Sequence, residues 1–218
     1  MTGQFPKLKK FLILYLVTYL VCCVSMCIVY ALPQKQIRQH VAQSKEIFEK
    51  EGSYPRLISW QISSQLDNYT DALMLLMASS EGEGPFYQDA FRNRYPSTEG
   101  DTPAQTLVRI YTEENTEYMV HDYNRYWHGY LLYLKPLLCF FSYGEIRFIW
   151  GILQVSLVGM VLILLIVRKM TREIVPFLAA YLFLDPAAMS VSLQHGIIFL
   201  LVVIQFLVIL LFEEIYAA

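Results

Sequence analysis

Residues 11–32, FLILYLVTYLVCCVSMCIVYAL, contain no charged side chain. A helix needs about 20 apolar residues to cross the hydrocarbon core of a bilayer. This stretch therefore predicts a transmembrane helix, which Pro33 ends. Lys7, Lys9 and Lys10 precede it, and basic flanks stay on the cytoplasmic side. The same basic–apolar–polar order describes a secretory signal peptide, whose apolar region runs about 7–15 residues before a small-residue cleavage site. The run here is longer and VYALPQ is a weak site, so the reading favours an uncleaved anchor.

Working outward, Ile146 to Val167 forms a second long apolar run, followed at once by Arg168, Lys169 and Arg172. That basic cluster marks another cytoplasmic loop. Both clusters give one topology: a cytoplasmic N-terminus, with the segment between the two spans outside the plasma membrane. After Arg172, Ile174–Leu184 and Gly196–Phe212 read as two more helices, joined by an outer turn at Asp185-Pro186. Ile174–Leu184 is short, which leaves a kinked or re-entrant segment as the alternative. The closing LLFEEIYAA carries no stop signal. The chain reads there either as the N-terminal part of a longer polytopic protein or as a last helix fraying at the cytoplasmic surface.

Composition agrees. The chain is 56% hydrophobic and 17% charged, with a mean hydropathy of +0.38, where soluble domains average about 25% charged residues. A net charge of -2 excludes the concentrated basic face that nucleic acid requires. Three of the four cysteines lie in the first span and Cys139 lies near the second, so no disulfide framework is expected. The predicted fold is an all-α membrane protein with about four transmembrane helices. Its parts are 1–32 (cytoplasmic N-terminus and first span), 33–145 (a large, mainly helical extracytoplasmic loop) and 146–218 (three further spans).

The loop carries ten Lys/Arg and fifteen Asp/Glu, and its acidic balance suits an exposed domain more than one clinging to anionic lipid. Gln34–Lys50 predicts a helix with Ile37, Val41, Ser44 and Phe48 on one face. Leu57–Ser79 predicts a second, and a last helix starts near Met119 and runs into LLYLKPLLCFFSY. EGEGPF and RYPSTEGDTP read as turn-rich linkers, and Thr106–Tyr118 leaves helix and strand open.

Two polar constellations stand out. Asp67 and Asp71 share a helical face at i, i+4, a pairing that suits proton abstraction or a divalent cation such as Mg or Mn. The structural alternative is a solvated face, or Asp67 capping the helix that follows. NYT (68–70) matches a glycosylation sequon, a weak signal alone. The second constellation is HDYNRYWHGYLLYLKPLL, 121–138. On a helix His121, Arg125 and His128 would line one side, ringed by Tyr126, Trp127, Tyr130 and Tyr133. An interfacial aromatic belt explains the rings without any further function. The cations add a seat for a lipid phosphate, with Arg125, Lys135 and Arg147 gripping it at headgroup level.

With LDNYTDALM and RYWHGYLLYLKPLL in place, the layout resembles the GT-C superfamily of integral-membrane glycosyltransferases. It is also similar to uncharacterised polytopic membrane proteins of Gram-positive bacteria. The superfamily likeness implies sugar transfer from a polyprenyl-phosphate-linked donor on the extracytoplasmic side. It assigns Asp67 or Asp71 as general base or metal ligand and His128 as a proton carrier. Arg125, Lys135 and Arg147 would neutralise the departing phosphate, and Trp127 or Tyr130 would stack on the sugar. The alternative function is a non-catalytic membrane protein whose outer domain binds a partner or envelope component. A transporter is disfavoured, because the spans hold few polar groups, chiefly Thr18, Ser25, Gln154, Ser156 and Gln205.

Overall fold

The computed structural model describes residues 4–82 and 84–212; the FEEIYAA end lies almost wholly outside them. The fold is mainly helical, with one two-stranded ribbon. Helix α1 (Gln4–Tyr30) leads into α2 (Gln34–Ala42), α3 (Lys45–Glu51), α4 (Asn68–Ser79) and α5 (Phe86–Arg92). Strand β1 (Tyr95–Ser97), α6 (Pro103–Thr112), β2 (Met119–His121) and α7 (Leu131–Leu138) complete the domain between the first two long helices. There follow α8 (Tyr143–Val167), α9 (Ile174–Phe183), α10 (Pro186–Ser190) and α11 (Leu193–Leu211).

Among the described residues three helices are long and apolar enough to cross a membrane: Lys7–Tyr30 of α1, α8 and α11. Two of them match the runs at 11–32 and 146–167, and the third contains most of the expected 196–212 run. The expected span at 174–184 is different. Its helix α9 has 10 residues and rises only about 15 Å, half of a hydrocarbon core. The chain then breaks at Asp185, which sits in the left-handed region (φ 52°) and caps α10 through Ala188 N–H at 3.3 Å. Gln154 of α8 holds this break, donating to Pro186 O and Tyr181 Oη, both at 2.9 Å.

In the domain between the first two long helices, α4 is central, packed by α2, α3, α6 and α7. The expected apolar face is real: Ile37, Val41, Ser44 and Phe48 are all buried. It belongs to two helices rather than one, because the chain breaks at Gln43–Ser44, where Ser44 Oγ donates to Val41 O at 2.5 Å. Serine competes with the helical ladder in this way. The same chemistry corrects the helix expected over Leu57–Ser79. Only Asn68 onward is α-helical, because Ser64 Oγ takes over the backbone of the preceding segment, donating to Gln61 O and accepting from Ile58 N–H.

The helix expected from Met119 is also absent. Met119–His121 pairs antiparallel with Tyr95–Ser97, and Tyr123 N–H donates to Arg92 O at 2.9 Å. Pairing with a distant strand overrides local propensity here, and helix resumes only at Leu131. Thr106 falls in α6, opened by a capping box of Thr102 and Gln105 around Pro103. A second capping box, Ser142 with Glu145, starts α8. In the bundle, α8 packs on α11, burying Val158, Val161 and Leu165 on one side and Val203, Leu207 and Leu210 on the other. Helix α1 packs chiefly on α5 and α7, and its buried residues, Met26 and Val29, lie near its end.

Candidate functional site

Asp67 and Asp71 do share one face of α4, and that face docks on the first turn of α11. Asp67 is the N-cap: Thr70 N–H donates to Oδ1 at 3.1 Å and Thr70 Oγ1 to Oδ2 at 2.6 Å. Gln194 of α11 donates to the same Oδ2 at 2.9 Å. Asp71 is 1% exposed. Its Oδ2 accepts from Tyr143 Oη at 2.9 Å and from Leu193 N–H at 3.0 Å, while Oδ1 has no partner among the described residues. Two carboxylates at a helix N-terminus complement its dipole. Burial pushes the Asp71 carboxyl up to about 6, against the hydrogen bonds from Leu193 and Tyr143 and the nearby Arg147 charge.

Arg147 fastens the other side of the same junction. It donates to both Glu51 carboxylate oxygens at 2.8–3.1 Å and to Asn68 Oδ1 at 3.0 Å. Asn68 in turn donates to Glu51 Oε2 at 2.9 Å and Gly52 O at 3.0 Å. The guanidinium lies 4.3 Å from the Tyr143 ring centre, and Tyr143 stacks on Phe48 at 5.1 Å. Every member of this cluster joins α3 or α4 to α8 or α11. Glu51 and Tyr143 carry no signal in the sequence alone, and Asn68 reads there only as the first residue of the NYT sequon. Glu51 ends α3 just before Gly52, and its partner lies 96 positions away, so no local pattern marks it.

Lys135 lies elsewhere, wholly buried. Its Nζ donates to Ala78 O at 2.8 Å and Gln34 Oε1 at 3.0 Å, 4.5 Å from the Tyr30 ring centre. Gln34 also donates to Ala78 O and Ser80 O. The two side chains thus satisfy carbonyls at the end of α4, which have no partner within the helix. Burial lowers the Lys135 ammonium to about 8. The phosphate-gripping trio is therefore dispersed: Arg147 holds Glu51, Lys135 caps α4, and Arg125 alone is exposed, 5.3 Å over the Tyr126 ring.

His128 is buried, with Nε2 at 2.7 Å from Tyr123 O, and burial lowers its pKa. His121 is exposed on β2 with Nε2 at 2.7 Å from Ser97 Oγ, so the two histidines do not converge. Tyr130 Oη reaches Met77 Sδ at 2.9 Å, and burial raises its pKa. Among the described residues no group of three or more His, Cys, Asp or Glu side chains is placed to hold a metal ion. Asp67 accepts hydrogen bonds on both carboxylate oxygens and Asp71 on Oδ2 alone.

A cavity opens beside the Asp67 end of α4. It measures about 530 Å³ and lies between α4, the 123–133 stretch and α11. Thr70, Trp127, Tyr130, Tyr133 and Gln194 supply its walls, so Asp67 stands beside its rim, held by two of them. No family model, curated protein or solved structure matches this chain.

Proposed function

We propose that this chain is a multi-pass plasma-membrane protein whose extracytoplasmic domain binds a sugar-bearing lipid or related envelope component, without catalysing its transfer. The basic residues at the start of α1 and after α8 put residues 33–145 outside, and the broken α9–α10 pair serves as the fourth crossing that returns the chain to that side. The observation that carries the reading is the engagement of both aspartates. Asp71 and Asp67 hold the first turn of α11, while the aromatic cavity beside them stays open. Tyrosine and tryptophan faces with a few polar groups at the rim suit a sugar ring attached to an apolar tail.

The GT-C-like transferase is the second reading, supported by one observation: half-buried Asp67 is hydrogen-bonded to Thr70 and Gln194, both of which line the cavity. Binding of a short-chain polyprenyl-phosphate sugar to the purified chain separates the two. Trp127→Ala or Tyr130→Ala weakens binding about tenfold, the scale of one lost aromatic stack. Asp67→Asn leaves binding within twofold under the binding reading. Sugar transfer by the unaltered chain that Asp67→Asn abolishes would establish the transferase instead.

A further inference from the structure

A second cavity, about 450 Å³, lies between α1 and the outer domain. One wall is Tyr15, Cys22 and Met26, all inside the candidate span Lys7–Tyr30. The facing wall includes Asn124, Arg125 and Trp127. The 124–127 loop therefore hangs against a helix face that hydrocarbon must cover, with Trp127 59% exposed. Arg125 is exposed on that wall, and no carboxylate among the described residues pairs with it. An unpaired guanidinium at membrane depth is costly and calls for an anion. The rest of the domain is net acidic, so a general attraction of basic surface to lipid does not explain this one.

We infer that the α1–Arg125 cavity is a binding site for a single anionic glycerophospholipid of the outer leaflet, its phosphate on Arg125 and Asn124 and one acyl chain along Tyr15–Met26. Guanidinium is the best side chain for a phosphate, because it offers paired donors and sheds water readily. Trp127 beside it has the amphipathic ring that favours headgroup level. The site rests on the proposed topology, which puts this loop at the outer leaflet, but not on any role of the aromatic cavity.

The test uses the full chain in nanodiscs, with Trp60→Phe and Trp150→Phe leaving Trp127 as the only tryptophan. Small mole fractions of brominated phosphatidylglycerol or brominated phosphatidylcholine are added as quenchers. Phosphatidylglycerol should quench with about fivefold preference, the scale of one cation near an anionic headgroup. Arg125→Gln should remove the preference and Arg125→Lys keep part of it. Equal quenching by both lipids, or a preference that survives Arg125→Gln, overturns the site while leaving the topology standing. No quenching by either lipid overturns both. Native mass spectrometry of the chain with its tryptophans intact gives a second reading: one retained phosphatidylglycerol, lost in Arg125→Gln, is expected, and equal retention in both overturns the site.

Discussion

Arg147→Met should lower the stability of the protein by about 3 kcal/mol, the lower end of the range for breaking a buried ion pair. The Arg147 side chain is 9% exposed and that of Glu51 29%, so water screens one side of the pair only slightly. Removing the guanidinium leaves Glu51 with Asn68 as its remaining side-chain donor and strips Asn68 Oδ1 of its partner. Reversible unfolding in detergent measures the loss. Glu51→Gln should cost a comparable amount, and the double variant less than the sum of the two, because both act on one contact. Arg38→Ala is the control: Arg38 and Glu81 are 37% and 57% exposed, and such surface pairs contribute under about 1 kcal/mol. Equal effects at the two sites would show that the junction between the 33–142 domain and the helix bundle does not depend on Arg147.

Raising the pH from 8 to 10 should stabilise the folded chain, and Lys135 should be the cause. Burial lowers its pKa from 10.5 to about 8. Between those values the unfolded chain binds the proton and the folded chain does not, so stability rises with pH. The cost of burying the charge is complete below pH 8 and is relieved as pH climbs through the folded value. The full interval between the two values corresponds to about 3 kcal/mol. Tyr130 and Tyr133, whose pKa values burial raises, act in the opposite sense above pH 10, which sets the upper end of the window. Lys135→Met should flatten the slope. An unchanged slope in that variant would mean the ammonium is solvated in the native state.

The parts of this fold that are legible in the sequence are those written in local pattern. Residues 11–32 and 146–167 are predominantly apolar and became helices long enough to cross a bilayer, since length and hydropathy decide such a segment. Ile37, Val41, Ser44 and Phe48 mark a buried face by their spacing, even though a serine splits the helix beneath them. What escaped is what depends on distant partners. The 119–121 strand exists because Tyr95–Ser97 is beside it, and Leu57–Leu66 forms only a short 3-10 turn rather than an α-helix, with Ser64 bound to its own neighbours. The site residues followed the same division. Asp67 and Asp71 do lie on one face, as i, i+4 spacing requires, but that face turned toward α11, a contact 122 to 127 positions away. Lys135 and Arg147, near neighbours in sequence, serve opposite ends of α4.

The central claim is that the helical domain between the first two long spans stands outside the cell. It is tested by replacing the four cysteines with serine and introducing Glu114→Cys, an exposed position between α6 and β2, or Lys169→Cys, just after α8. Intact cells are then treated with a membrane-impermeant maleimide. Labelling at position 114 in intact cells, with position 169 labelled only after permeabilisation, is the predicted result. Labelling at 169 in intact cells, with 114 protected until the cells are opened, would contradict it.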